Sequence, residues 1–186
     1  MKFITSLIFG FALFLSVAGG EIRERPKDWA QPVPCAALGN FHKINDNVYR
    51  SAQPDSRGYA ELEKMGIEEI LNLREYHSDA DEAKGTSLKL HHVSKNAENI
   101  KTEDVIQALK IIKNAKGPIL IHCMHGSDRT GVICAMYRVV FDGWTKEKAI
   151  DEMINGNYNF HEKFKNIPEY IRNADIEAIK KEISKP

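Results

Sequence analysis

Apolar positions change their period several times along the chain, and each change marks an element. Ser56 to Met65 reads as a helix stopped by Gly66, followed by a strand from Ile67 to Leu73. Arg74 to Ser87 is polar and reads as a surface loop, its acidic stretch Asp79 to Glu82 solvated. Leu88 to Val93 is the next strand. Val105, Leu109 and Ile112 then recur at spacings of four and three, the repeat of one helix face. Thr102 is its predicted cap, Glu103 and Asp104 suit its first turn, and Gly117-Pro118 ends it. Ile119-Leu120-Ile121 is wholly apolar, the mark of a strand buried on both faces. A polar loop separates it from an apolar helix ending near Phe141. Further helices are expected over Lys146–Asn155, capped by Thr145, and over Ile167–Ser184. Upstream, Phe41–Ile44 and Val48–Ser51 are short strands joined by the turn Asn45-Asp46-Asn47. Strands alternating with helices predict one compact α/β domain over residues 39–186, its central sheet mostly parallel and flanked by helices. A site is expected at the C-terminal end of the Ile119–Ile121 strand, where such sheets bind ligands.

The N-terminus breaks this pattern. Met1-Lys2 precedes an apolar run from Phe3 to Val17 and small residues at Ser16, Ala18, Gly19 and Gly20. The run is short of the roughly 20 residues a membrane span needs, and the charged stretch Glu21 to Arg25 follows directly. Residues 1–20 therefore read as a cleaved export signal, and a periplasmic or secreted protein without stable membrane insertion is expected. Residues 21–38 hold Pro26, Pro32 and Pro34 and read as an extended lead-in without helix.

Composition narrows the function classes. The 186 residues carry 26 Lys+Arg against 26 Asp+Glu, which excludes a generally basic nucleic-acid binder. With only three cysteines, Cys35, Cys123 and Cys134, a disulfide scaffold is excluded as well. Cys134 lies in an apolar helical run and reads as a packing residue; a Cys35–Cys134 bridge stays open.

Cys123 is different. It and Arg129 bracket the loop Met124-His125-Gly126-Ser127-Asp128, with Thr130-Gly131 following, between a buried strand and a helix. Backbone N–H groups of such a loop and the helix dipole favour an anion. They favour a thiolate at the centre of the cup too. The planar fork of Arg129 suits two oxygens of a tetrahedral oxyanion. A thiolate beneath a phosphate monoester can attack phosphorus, and water can then hydrolyse the cysteinyl phosphate. Thr130 can donate to the thiolate, and His122 reads as orienting the loop. The candidate phosphate-binding residues are thus Met124, His125, Gly126, Ser127, Asp128, Arg129 and Thr130.

His122-Cys123-(five residues)-Arg129-Thr130-Gly131 resembles the signature of protein tyrosine phosphatases. The short chain resembles the small atypical dual-specificity branch. Val48-Tyr49-Arg50-Ser51-Ala52-Gln53-Pro54 and Ile70-Leu71-Asn72-Leu73-Arg74 are similar to upstream segments of that group, and Ala135-Met136-Tyr137-Arg138 with Gly143-Trp144 to its exported bacterial members. The resemblance implies Cys123 as nucleophile, no cofactor or metal, and a phosphotyrosine protein as substrate of a monomeric enzyme. It also implies a general acid on the loop Ser94 to Lys101, where Glu98 matches best and Asp104 is second; the usual residue there is Asp. The phosphate loop has no lysine, and Asp128 would repel further phosphates, which favours phosphotyrosine. A phosphoinositide or inositol-phosphate phosphatase and a catalytically weak phosphate-binding module are the alternatives.

Other readings of the same residues are weaker. His122, Cys123 and His125, with His91-His92 elsewhere, lack paired metal-ligand spacing. The loop is not GxxxxGK[ST] either. One of His91 and His92 should face the core. Arg50 and Arg74 either line the cleft or form structural ion pairs, the second reading being favoured.

Overall fold

The computed structural model describes residues 24–185, so the predicted signal at 1–20 lies outside the described residues. Six strands form one sheet: β1 (Gln31–Pro32), β2 (His42–Lys43), β3 (Val48–Ser51), β4 (Glu69–Asn72), β5 (Lys89–His92) and β6 (Ile119–His122), in the order β1-β2-β3-β6-β4-β5. The β1, β2 and β3 pairings are antiparallel, while β3–β6, β6–β4 and β4–β5 are parallel. Strand β6 is therefore central, as its unbroken apolar run requires.

Alternation along β6 and β4 divides the interior into two layers. Ile119 and Ile121 with Leu71 face one side, where α2 (Thr102–Asn114) and α3 (Asp128–Val140) pack. Leu120 and Ile70 face the other, against Tyr59 and Leu62 of α1 (Ser56–Lys64). Helix α3 is enclosed on nearly every side, with 11 of its 13 residues buried, so it is the central helix of its layer. α4 (Lys146–Asn155), α5 (Asn166–Asn173) and α6 (Ile176–Ile183) surround it, and a Cβ on Gly131 would come within 3.0 Å of Met153 Cγ on α4.

Several expectations are corrected. Thr102 is the first helical residue rather than the cap: Lys101 holds the cap position without a side-chain bond, and Thr102 Oγ1 accepts from Tyr170 Oη at 3.3 Å. The expected helix over Ile167–Ser184 is two helices. Ala174 turns extended (ψ 132°), and the Asp175 carboxylate then caps α6 by accepting from Ala178 N–H. Lys146 Nζ donates to the Arg172 and Ala174 carbonyls at that break. Cys35 and Cys134 are both free, and burial pushes the Cys134 thiol up to about 11. Neither His91 nor His92 enters the core, because β5 is the edge strand; His91 Nε2 meets Glu69 Oε2 instead.

Candidate active site

Strand β6 delivers His122 and Cys123 to the C-terminal edge of the sheet, and the chain then curls into the N-terminus of α3. Cys123 is 2% exposed. Gly126 has φ 70°, and a Cβ there would collide with the Ser51 carbonyl, so only glycine lets the loop lie against β3. Gln53 N–H donates to the Met124 carbonyl at 3.1 Å. Ser127 occupies the N-cap position of α3 but gives its hydroxyl to the Tyr158 carbonyl at 2.7 Å. The first N–H groups of α3 consequently have no side-chain cap and remain available to an anion. Among the described residues the Arg129 guanidinium has no hydrogen bond or ion pair, and the buried Thr130 Oγ1 has no partner. Cys123, Arg129 and Thr130 are thus brought to one loop with donors to spare.

Two supports hold this loop; sequence reasoning gave His122 an orienting role but missed Asp79, and favoured an ion pair for Arg50. The first is Asp79, expected in a solvated stretch but buried at 3%. Its carboxylate takes hydrogen bonds from Gln53 (3.1 Å) and Asn72 (2.9 Å) and meets His122 Nε2 at 2.9 Å. Burial alone would raise its pKa, but the hydrogen bond and charge of His122, with the bonds from Gln53 and Tyr59, outweigh burial and hold it below the usual aspartate value. The loop dips inward because Asn72, at the end of β4, draws both Asp79 and the His77 carbonyl to itself. His122 is wholly buried and its Nδ1 lies 3.3 Å from the Cys123 carbonyl, so this cluster positions the nucleophile's own backbone.

The second support is Arg50, which was expected in an ion pair. It has no carboxylate partner among the described residues; Nη2 donates to the Gly126 carbonyl at 2.6 Å, and its guanidinium stacks 3.6 Å from the Tyr158 ring centroid. Arg74 likewise binds an amide, Gln53 Oε1, at 3.2 Å. Tyr158 in turn joins the lead-in to the site. Arg25 donates to its hydroxyl at 2.7 Å, and that hydroxyl donates to Glu152. Glu152 also receives the Ala30 N–H and the Arg138 fork. The periodic pattern gave no hint of this network, since its members lie on five separate segments.

The acid-loop candidates are placed differently. Glu98 is exposed, and its only described bond is from its backbone N–H to Asn96 Oδ1 at 2.8 Å. No hydrogen bond or ion pair links Glu98 or Asp104 to the phosphate loop among the described residues. Asn166 Nδ2 pins the loop through the Ala97 carbonyl at 2.9 Å. At its root lies Lys95, 1% exposed, with an ammonium that has no hydrogen-bond partner. Burial lowers its pKa to about 8, partly opposed by the charge of Asp104. Period-two counting from Val93, which faces the core, signals this inward placement.

Asp128 also departs from expectation. It is 7% exposed, and its carboxylate turns to the segment after α4, where Oδ1 accepts the His161 N–H and Oδ2 meets His161 Nδ1 at 2.7 Å. It is not a bare charge facing the substrate.

A family model described as the tyrosine phosphatase family matches residues 36–186. The chain belongs to that family. Dual specificity protein phosphatase TpbA of Pseudomonas aeruginosa PAO1 is 29% identical over 160 residues, covering 84% of this chain and 71% of that protein. Inositol diphosphatase SIW14 of Saccharomyces cerevisiae is 34% identical over 123 residues, covering 61% and 43%. The crystal structure of a cysteine-to-serine variant of P. aeruginosa TpbA in complex with phosphotyrosine superposes with a TM-score of 0.78 at 26% identity, covering 87% and 99% of the two chains. The catalytic core of Siw14 gives 0.69 at 25%, covering 81% and 93%. The protein is a phosphatase of the tyrosine and dual-specificity family, with the small atypical domain that these relatives share.

Proposed function

We propose that this phosphatase hydrolyses phosphate monoesters through Cys123, with phosphotyrosine in proteins as the leading substrate class. The observation that carries the reading is the pairing of an unpartnered Arg129 guanidinium with an uncapped α3 N-terminus around a single buried thiol. The Cys123 thiolate attacks phosphorus; an S–P bond forms as the bond to the leaving oxygen breaks, and Glu98 gives that oxygen its proton. Water then attacks phosphorus, the electron pair of the S–P bond returns to sulfur, and the Glu98 carboxylate takes the proton. Arg129 and the loop N–H groups bear the charge of the equatorial oxygens. A residue on an exposed loop can reach the leaving group only when substrate fills the cup, which suits an acid that acts late and weakly.

Inositol phosphates are the second reading. It is favoured by the turn of Asp128 toward His161, which engages the carboxylate expected to repel further phosphates, and by the similarity to Siw14. Residues 1–20 are proposed to be removed during export. The first test assays the mature domain on an aryl phosphate with a chelator present, beside Cys123→Ser. Turnover that survives chelation, is blocked by vanadate and is absent from the variant is the expected result. Turnover by the variant, or none by the reduced wild-type protein, overturns the reading.

A further inference from the structure

Two histidines stand together beside the cup. His125 is an exposed residue of the phosphate loop, and its ring lies 5.6 Å from that of His161. The segment carrying His161 is stitched to the loop at several points. Ser127 and Asn40 both donate to the Tyr158 carbonyl, Asn40 also donates to the His125 carbonyl, and His161 makes its two contacts with Asp128. A carboxylate only accepts, so the Asp128 contact assigns the proton of His161 to Nδ1 and leaves Nε2 as the free nitrogen. Phe164 holds the ring edge-on at 6.3 Å, and 44% of the His161 side chain is exposed. Pinning the segment needs only Nδ1 and the backbone N–H; the open Nε2 edge and the adjoining imidazole go beyond that.

We propose that His125 and His161 form an anion subsite on the rim of the phosphate cup, which takes a second acidic group carried by the substrate beside the scissile phosphate. This rests on the phosphatase reading above. Loop residues 124–128 contain no lysine or arginine, so His125 is the side chain of the loop that can become cationic, and His161 joins it from the neighbouring segment. A ring that carries both protons can donate to an anion from Nε2 while Asp128 accepts from Nδ1 and balances the charge. The neighbouring charged residues are Asp128 and Arg129 from α3, with Glu162 and Lys163 from the segment itself; Lys163 Nζ lies 4.8 Å from the Phe164 ring. The second anion is a carboxylate or a phosphate, supplied by an acidic residue next to phosphotyrosine or by a neighbouring phosphate of an inositol.

The test measures kcat/KM at about pH 6 for wild type, His161→Gln and His161→Lys. One pair of substrates is a phosphotyrosine peptide flanked by glutamates and its glutamine counterpart; the other is an inositol polyphosphate and a simple aryl phosphate. His161→Gln is expected to lower the preference for the more anionic member about five- to twentyfold, through KM, and His161→Lys to retain it. The pair that shows the loss identifies the source of the second anion. No wild-type preference in either pair, or an even loss on every substrate, overturns the subsite and leaves His161 as a structural pin. The same ratios taken as Kd values on Cys123→Ser decide the matter independently of turnover, so failure of the phosphatase reading is recognised separately.

Discussion

The phosphate loop and the loop from Ser94 to Lys101 both follow the C-terminal ends of parallel strands but are built in opposite ways. Residues 122–130 are fastened from beneath by Asp79 and His122, from the side by Arg50, and from beyond α4 by Tyr158 and His161. The second loop has an exposed Glu98, two outside pins, from Asn166 to the Ala97 carbonyl and from Ser94 to the Glu75 carbonyl, and a buried ammonium without a partner at its root. The difference matches the two tasks. Groups that stabilise charge act best when already in place, because nothing need reorganise during reaction. A proton donor must reach different leaving groups and gains less from rigidity.

That contrast can be broken most sharply at Cys123. Cys123→Ser should lower aryl phosphate turnover by more than about 10⁴-fold, and retention of oxyanion binding by calorimetry would show that the cup stands without its nucleophile. Next comes Arg50→Met, which removes the bond to the Gly126 carbonyl; kcat should fall about ten- to a hundredfold, with Arg50→Lys restoring only part of it. A loss confined to thermal stability would demote Arg50 from positioning the loop to filling space.

Asp79→Asn should destabilise the fold by about 2–4 kcal/mol in denaturant unfolding, because it disrupts a buried carboxylate–imidazole pair. Asp79 is held below the ordinary 3.8, so its contribution is complete above that value and fades as pH falls below it. Lys95→Met should act in the other direction, raising stability by about 1–3 kcal/mol, since an unpaired buried ammonium gives way to an apolar chain of similar length. The unfolded lysine keeps its proton to near 10.5 while the folded one releases it from about 8. The unfolded state therefore binds more protons in that window, and wild-type stability should rise with pH across it while that of the variant stays flat. The smallest effect is expected at Glu98. Glu98→Gln should slow activated aryl phosphates by about twofold and alkyl phosphates by about tenfold or more; equal, negligible effects on both would remove it from the mechanism.

Local pattern carried the elements whose signals are local. The apolar run Ile119–Ile121, the Val105–Leu109–Ile112 face and the cap at Thr145 all stand where the sequence placed them, because burial period and capping are properties of a few neighbouring residues. It missed the break at Ala174-Asp175, since an aspartate that can cap a helix reads equally well as a polar position on one long helix face. The Cys123–Arg129 spacing was legible for the same reason: the cup is one contiguous segment, with glycines at the positions where its backbone needs them.

What holds that cup was not legible. Asp79 and His122 are 43 residues apart, Arg50 and Gly126 are 76 apart, and Arg25 and Tyr158 are 133 apart. Asp79 read as part of a solvated stretch and Arg25 as part of a charged lead-in, and only the closed fold set Asp79 beneath the phosphate loop and Arg25 against the Tyr158 that helps to hold it. By itself the sequence determined the α/β order, the central strand and the segment that carries the chemistry. Only the tertiary structure decided which polar residues are buried to brace that segment, which carboxylates stay exposed, and that Asp128 answers to His161. The cost of burying a polar group is settled by partners far along the chain, and those partners exist only once the sheet has closed.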